Sequence, residues 1–187
     1  MSARGRKPDP TVDHRIRQAA TKLVLTRGFD FTMDDVAEEA GVGRASVFRR
    51  YPTKRDMLLQ TLAGFMNTHV AIPDTGSLES DLRVVVTDTL ALWHSPGVSR
   101  TARQLYGEAG RDPAVAEIIR TGMRTRMERS WVVYERAIER GELPPNADLW
   151  LLTDLFTGLV AYRGLLDLPF PEPEEIVQVL LHGFTPA

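Results

Sequence analysis

The sequence predicts an all-α protein of about nine helices, and three observations carry that prediction. Apolar residues recur at i, i+3, i+4 and i+7 along most of the chain. Capping residues or N1 prolines precede these stripes, and glycine often follows them. Strand-like alternation bounded by turns is missing. The 187 residues, 43% of them apolar, suffice for a packed core.

The first helix is expected from Val12 to Arg27, with a buried stripe of Ile16, Ala19, Ala20 and Leu23, Val24 beside it and Gly28 ending it. Thr32 then caps a second helix, and Asp35 lies at its N3 position. Met33, Val36, Ala37 and Ala40 form that helix's inner face. Gly41 supplies the tight turn, and Val42 plugs the angle between the helices. A third, short helix is expected from Gly43 to about Arg50, and Pro52 stops it. Val47 and Tyr51 face inward, leaving Arg44, Phe48, Arg49 and Arg50 outside.

This is how a protein presents one small helix to the DNA major groove. Gly43, Ala45 and Ser46 make a small first turn that permits close approach. Arg44, Ser46 and Arg49 are the candidates for reading base edges. Thr32, Arg50, Tyr51 and Lys54 are the candidates for holding phosphates. Lys54 begins a helix capped by Thr53 and Asp56, where backbone N–H groups and the ammonium can share one phosphate. The plainer alternative is an ordinary helix pair with a solvated basic face. Residues 1–10 form a basic arm whose Arg4, Arg6 and Lys7 either reach the minor groove or phosphates, as such arms do elsewhere, or stay solvated.

The N-terminal residues resemble the TetR family of transcriptional regulators. The resemblance is carried by Ile16 to Ala20, Arg27-Gly28-Phe29, Thr32 to Ala37, Ala40 to Gly43, Ser46-Val47-Phe48, Tyr51-Pro52 and Lys54 to Leu58, in order along the chain. Phe48 and Arg49 stand where two tyrosines are usual, and Arg50 where a histidine is usual. The missing hydroxyl at Phe48 removes a phosphate contact that the resemblance implies, and Arg49 and Arg50 are placed to replace it. The resemblance implies an N-terminal three-helix helix-turn-helix DNA-binding domain and a C-terminal helical ligand-binding and dimerisation domain.

The connecting helix is expected from Thr53 to about Val70, carrying Leu58, Leu59, Leu62, Phe65 and Met66. The turn-rich stretch from Ile72 to Ser77 marks a boundary. The division is therefore an arm at 1–10, a DNA-binding domain at 11–52, a connecting helix at 53–71 and a body at 72–187. In the body, one helix carries Leu82, Val85, Val86, Leu90 and Trp93 and breaks at Ser95-Pro96-Gly97; a shorter helix carries Ala102, Leu105 and Tyr106. Asp112-Pro113 opens a long helix to about Arg140, which Gly141 ends. Another runs from about Ala147 to Leu166, and prolines bound the last, from Glu174 to about Gly183. Leu155 to Gly158 with Tyr162-Arg163 also echoes a late helix of the TetR family.

The last two long helices carry too much apolar surface for a single buried face, so one face is expected in a two-fold homodimer interface. The residues assigned to it are Leu152, Leu155, Leu159, Tyr162, Arg163, Ile176, Val179 and Leu180. A dimer suits half-sites about one DNA turn apart. The resemblance places an effector pocket among the central helices. Its candidate walls are Trp93, Tyr106, Met123, Met127, Trp131 and Phe156, favouring an apolar or aromatic small molecule, with Arg126 or Glu108 as a polar anchor.

Charge is polarised along the chain. Residues 1–60 carry net +4 and residues 61–187 net −6, within a total of −2. A basic head suits a phosphate backbone. No apolar run approaches the roughly 20 residues that span a bilayer, and no signal-peptide pattern opens the chain, so a cytoplasmic protein without a membrane partner is expected. Cysteine is absent, and the four histidines are far apart in sequence. HExxH, GxSxG and P-loop spacings are missing, so no enzyme, metal or cofactor is expected. The sequence thus reads as a homodimeric repressor released from a palindromic operator by a small ligand. Its alternatives are a body that only dimerises, or an activator.

Overall fold

The computed structural model describes residues 10–66 and 72–183, excepting the side chains of residues 10, 65 and 66. The candidate arm residues Arg4, Arg6 and Lys7 lie outside the described residues, as does the expected end of the connecting helix. Among the described residues the chain forms nine helices and no strand: α1 (Pro10–Arg27), α2 (Met33–Ala40), α3 (Arg44–Phe48), α4 (Lys54–Met66), α5 (Leu78–His94), α6 (Pro96–Ala109), α7 (Pro113–Glu139), α8 (Leu149–Leu165) and α9 (Pro173–His182).

The head is built from α1 to α4. Ile16, Val36, Val47, Met57 and Leu62 meet at its centre, all essentially without solvent contact. Local chemistry sets the angle between α2 and α3. Thr32 and Asp35 form a reciprocal capping box: the Thr32 hydroxyl oxygen accepts from the Asp35 N–H at 3.1 Å, and the Asp35 carboxylate accepts from the Thr32 N–H at 2.6 Å. Gly41 sits at φ +59°, and a Cβ there would lie 2.8 Å from the Arg15 guanidinium, which donates to the Gly41 carbonyl at 2.6 Å.

α3 is shorter than expected, five residues ending at Phe48 rather than near Arg50. The residue before a proline is driven out of the α region, so the chain turns at Arg49–Arg50 to bring Tyr51 into the core ahead of Pro52.

The body is built from α5, α7, α8 and α9 around Leu82, Val86, Leu90, Val133, Phe156 and Val177. Asp112 caps α7, its carboxylate accepting from the Ala114 N–H at 2.9 Å, with Pro113 at the first helical position. α7 has 27 residues and is therefore about 40 Å long, enough to run from the head to the far end of the body.

The head core does not stop at the expected boundary. Leu105 of α6 and Val115 of α7 belong to it. α6 is stitched to α1 by polar contacts as well: Thr101 Oγ1 donates to Val24 O at 3.1 Å, Arg100 donates to Thr26 O at 2.9 Å, and the Gln104 carbonyl oxygen accepts from the Phe29 N–H at 3.2 Å. Gly28, at φ +66°, lies under Gln104, whose amide would stand 2.2 Å from any Cβ placed there. Arg55 of α4 and Asp112 make a two-pronged ion pair with both contacts at 2.9 Å.

Candidate nucleic-acid interface and body cavity

Five of the predicted DNA-facing residues gather on one exposed edge. Gly43, Arg44, Ala45, Phe48 and Arg49 are all exposed, Ser46 half so, and nothing lies within 4 Å of a Cβ built on Gly43. Close approach of this helix end to a groove is therefore open. Arg44 bridges to Asp34 of α2 at 3.0 Å, and its guanidinium stacks over Phe48, 5.2 Å from the ring centre. Both partners of that ion pair are exposed, so it is weak and the guanidinium can exchange it for a base edge. Thr32 is exposed beside this edge with its hydroxyl held by Asp35. Hydrogen bonds from the Thr32 side chain and backbone hold the Asp35 carboxyl below its usual range.

Three predicted phosphate ligands are placed differently. Arg50 turns back into the head: its guanidinium bonds the Asp13 carboxylate and donates to the Ser46 carbonyl at 3.0 Å. It is a brace between α1 and the end of α3, and its expected outward position is corrected accordingly. The Tyr51 ring is buried, and that burial raises its phenol pKa. Lys54 lies over the Phe31 ring and donates to the Phe29 carbonyl at 2.6 Å, which closes the turn between α1 and α2. An ammonium carries three donors, so Lys54 retains hydrogen-bonding capacity for a phosphate, while Arg50 turns its Nε and Nη1 to partners inside the head. Neither Asp13 nor Phe29 carried a sequence signal for these roles, because the partners are 37 and 25 residues apart.

The body encloses a cavity of about 200 Å³ between α5, α6, α7 and α8. Six of the predicted ligand residues line it: Trp93, Tyr106, Met123, Arg126, Met127 and Phe156. Trp131 does not. Its ring packs edge-on against Trp150 at 4.8 Å, one helical turn beyond Met127. The sequence reading missed the contributions of Leu82, Val85, Val98 and Ala161, which resemble ordinary core positions until the helices are assembled.

On α8 and its C-cap, Leu151, Leu155, Gly158, Tyr162 and Leu166 are exposed and recur at intervals of three or four. Leu155 is 56% exposed and Tyr162 59%. Val179 of α9 is exposed as well, while Leu152, Leu159 and Leu180 are half-buried against the body core. Ile176, expected on the same outer face, is instead 4% exposed within that core. Pro173 opens α9, and Ile176 and Val177 are both buried against the body core. Arg163 also turns inward, donating to the Pro169 carbonyl and so closing the turn after α8. Leu151 and Leu166 belong to the exposed stripe although they were not assigned to it.

Residues 16–61 match the family described as bacterial regulatory proteins of the tetR family, and residues 72–182 match the tetracyclin repressor-like C-terminal domain. The chain belongs to the TetR family. It is 30% identical over 168 residues to the HTH-type transcriptional regulator YdeS of Bacillus subtilis, spanning 89% of this chain and 84% of that one. It is 29% identical over 174 residues to the regulator AqdR of Rhodococcus erythropolis, spanning 90% of this chain and 83% of that one. Among solved structures, the TetR-family regulator SCO0332 superposes with a TM-score of 0.76 at 26% identity, covering 94% of this chain and 99% of that one. The fold is shared with the regulator FadR of Bacillus subtilis, solved in complex with stearoyl-CoA, at a TM-score of 0.71 and 15% identity, covering 92% of this chain and 100% of that one. This TetR-family chain is thus a DNA-binding transcriptional regulator rather than an enzyme. No helix among its described residues is long and apolar enough to cross a membrane.

Proposed function

We propose that this TetR-family regulator is a homodimeric repressor released from a palindromic operator by a small molecule bound in the body cavity. The observation that carries the reading is the double role of α6. Thr101, Leu105 and Tyr106 help wall the cavity, while Thr101, Gln104 and Arg100 hold α1 of the head. A ligand that displaces α6 therefore displaces the head. It acts only if it binds the displaced arrangement better than the operator-bound one.

The division proposed is a head at 11–52, a connecting helix at 53–71 and a body at 72–187. Dimerisation uses the exposed α8 stripe around Leu155 and Tyr162, joined by Val179. An apolar stripe of this length on one helix suits a two-fold, four-helix contact. In the dimer, Arg44, Ser46 and Arg49 read base edges, and Thr32, Lys54 and the end of α3 set the register on phosphates. A body that only dimerises would need no cavity, so the open space among α5 to α8 favours the ligand-responsive reading over that alternative.

The test is selection from a pool of random duplex DNA at several salt concentrations, together with the molar mass of the protein in solution. Enrichment of a two-half-site palindrome by a dimer is expected. Weak, sequence-blind binding by a monomer overturns the proposal.

A further inference from the structure

We infer that the body cavity is built for an amphipathic monoanion, an apolar molecule bearing one carboxylate that pairs with Arg126. This deepens the ligand-responsive reading above and rests on it.

Arg126 projects from α7 into the cavity wall, among Leu82, Val85, Trp93, Met123 and Phe156. No lining residue is an aspartate or glutamate. Other arginines of the same helix behave differently: Arg120 is paired with Glu117 and Arg136 with Asp74. Among the described residues Arg126 has neither an ion pair nor a hydrogen-bond acceptor. Burial lowers its pKa, yet a guanidinium stays protonated in a protein, so a half-buried cation lines the cavity without a counter-charge. An anion that enters with its own apolar body supplies that charge and shields the pair from water.

The neighbouring hydroxyls narrow the chemistry. Thr101, Ser130 and Thr153 donate to the carbonyls of Val24, Met127 and Leu149, at 3.1, 2.7 and 2.6 Å. These three are engaged within the fold, while the hydroxyls of Thr89, Tyr106 and Thr157 also line the wall as neutral groups, and Arg126 is its charged anchor. A single guanidinium compensates a single negative charge. It forms two parallel bonds with a carboxylate, whereas a phosphate dianion would bring a second charge into an apolar space. Volume sets the size. A cavity of about 150 Å³ accepts benzene, so about 200 Å³ accommodates a ring with a short acid tail, or a short acyl chain.

The test uses calorimetry on the full-length protein with matched probes: 3-phenylpropionate and hexanoate, their primary amides, and propylbenzene. The acids are expected to bind about 10- to 100-fold more tightly than the amides, and that preference is expected to vanish in Arg126→Gln. A structural role for Arg126 is separated by the ligand-free melting temperature. Arg126→Leu removes an unpaired cation and is expected to raise Tm by about 2–4 °C, while a fall would mark Arg126 as a packing residue and overturn the inference. Amides and propylbenzene binding as well as the acids would overturn the anion class and leave the cavity as a ligand site. Acid binding unchanged in Arg126→Gln would overturn the anchor. Failure of every probe to bind would overturn both the inference and the ligand-responsive reading beneath it.

Discussion

Head and body treat their charged and apolar groups in opposite ways. In the head, Arg50, Lys54 and Arg15 are tied to Asp13, Phe29 O and Gly41 O, and the apolar residues close into one filled core. Only the end of α3 is left open. In the body, Arg126 is unpaired, a cavity interrupts the core, and α8 shows solvent a row of leucines and a tyrosine. The head core is closed with the help of Leu105 of α6 and Val115 of α7, and that packing holds α3 at a fixed angle. The body leaves an apolar stripe and a cavity uncovered, which the proposed reading fills with a second copy on α8 and a ligand. A regulator needs that asymmetry, because a reading surface that deformed would lose its register, whereas a sensor that was already filled could not respond.

The largest effect is expected at the stripe proposed to take a second copy. Leu155→Glu with Tyr162→Glu places charge on the exposed α8 stripe and should yield a monomer in sedimentation experiments. Operator affinity should fall about a thousandfold or more, because two half-sites are no longer read together. A variant that remains dimeric and binds normally would move the interface elsewhere.

Next comes the reading edge of the head. Arg44→Ala should cost about 1–3 kcal/mol on the preferred operator and little on random DNA, so the selected sequence relaxes at one position of each half-site. Equal weakening on both DNAs would make Arg44 a phosphate contact.

The internal ties of the head should show in stability rather than in sequence preference. Arg50→Ala leaves Asp13 without its partner and should lower unfolding free energy by about 1–3 kcal/mol in urea titrations. Thr32→Ala removes the α2 cap and should cost about 1 kcal/mol.

The smallest effect is that of acid. Asp35 is held below its usual range by the Thr32 hydrogen bonds, and Asp112 by the Ala114 N–H first and by Arg55. Both carboxyls have folded pKa values below their unfolded ones, so their stabilisation is fully present above the unfolded value of about 4 and is lost as pH falls through the lower folded values. Thermal melts should therefore be flat from neutral pH down to about 5 and fall below about 4, with Asp35→Asn showing a shallower fall.

Local signals were legible wherever the interaction spans three or four residues. The Thr32–Asp35 box, the left-handed Gly41 and the Asp112-Pro113 start of α7 were all readable, because caps and turns are formed by near neighbours. The predicted ends of α1, α7 and α8 lie within about two residues of those observed, the usual fraying of helix ends. Long-range pairings were not legible. Whether Arg50 points to a phosphate or to Asp13 depends on how α1 crosses α3, and periodicity on one helix carries no information about that crossing. Ile176 and Val179 look equivalent in a helix that is apolar on more than one side, and only the packing of α9 on α5 separates core from surface. Trp131 and Met127 share one face of α7, yet one helical turn (about 5.4 Å along the axis) separates the residue on the cavity from the one packed on Trp150.

By itself the sequence determined an all-helical chain, the helix-turn-helix, the exposed basic edge of α3 and family membership, since these rest on short-range spacing and side-chain chemistry. Tertiary structure decided which cations are engaged, which apolar face remains bare, and that Arg126 stands alone in an apolar cavity. Those properties belong to distances between helices, and distances between helices arise only when the whole chain has packed.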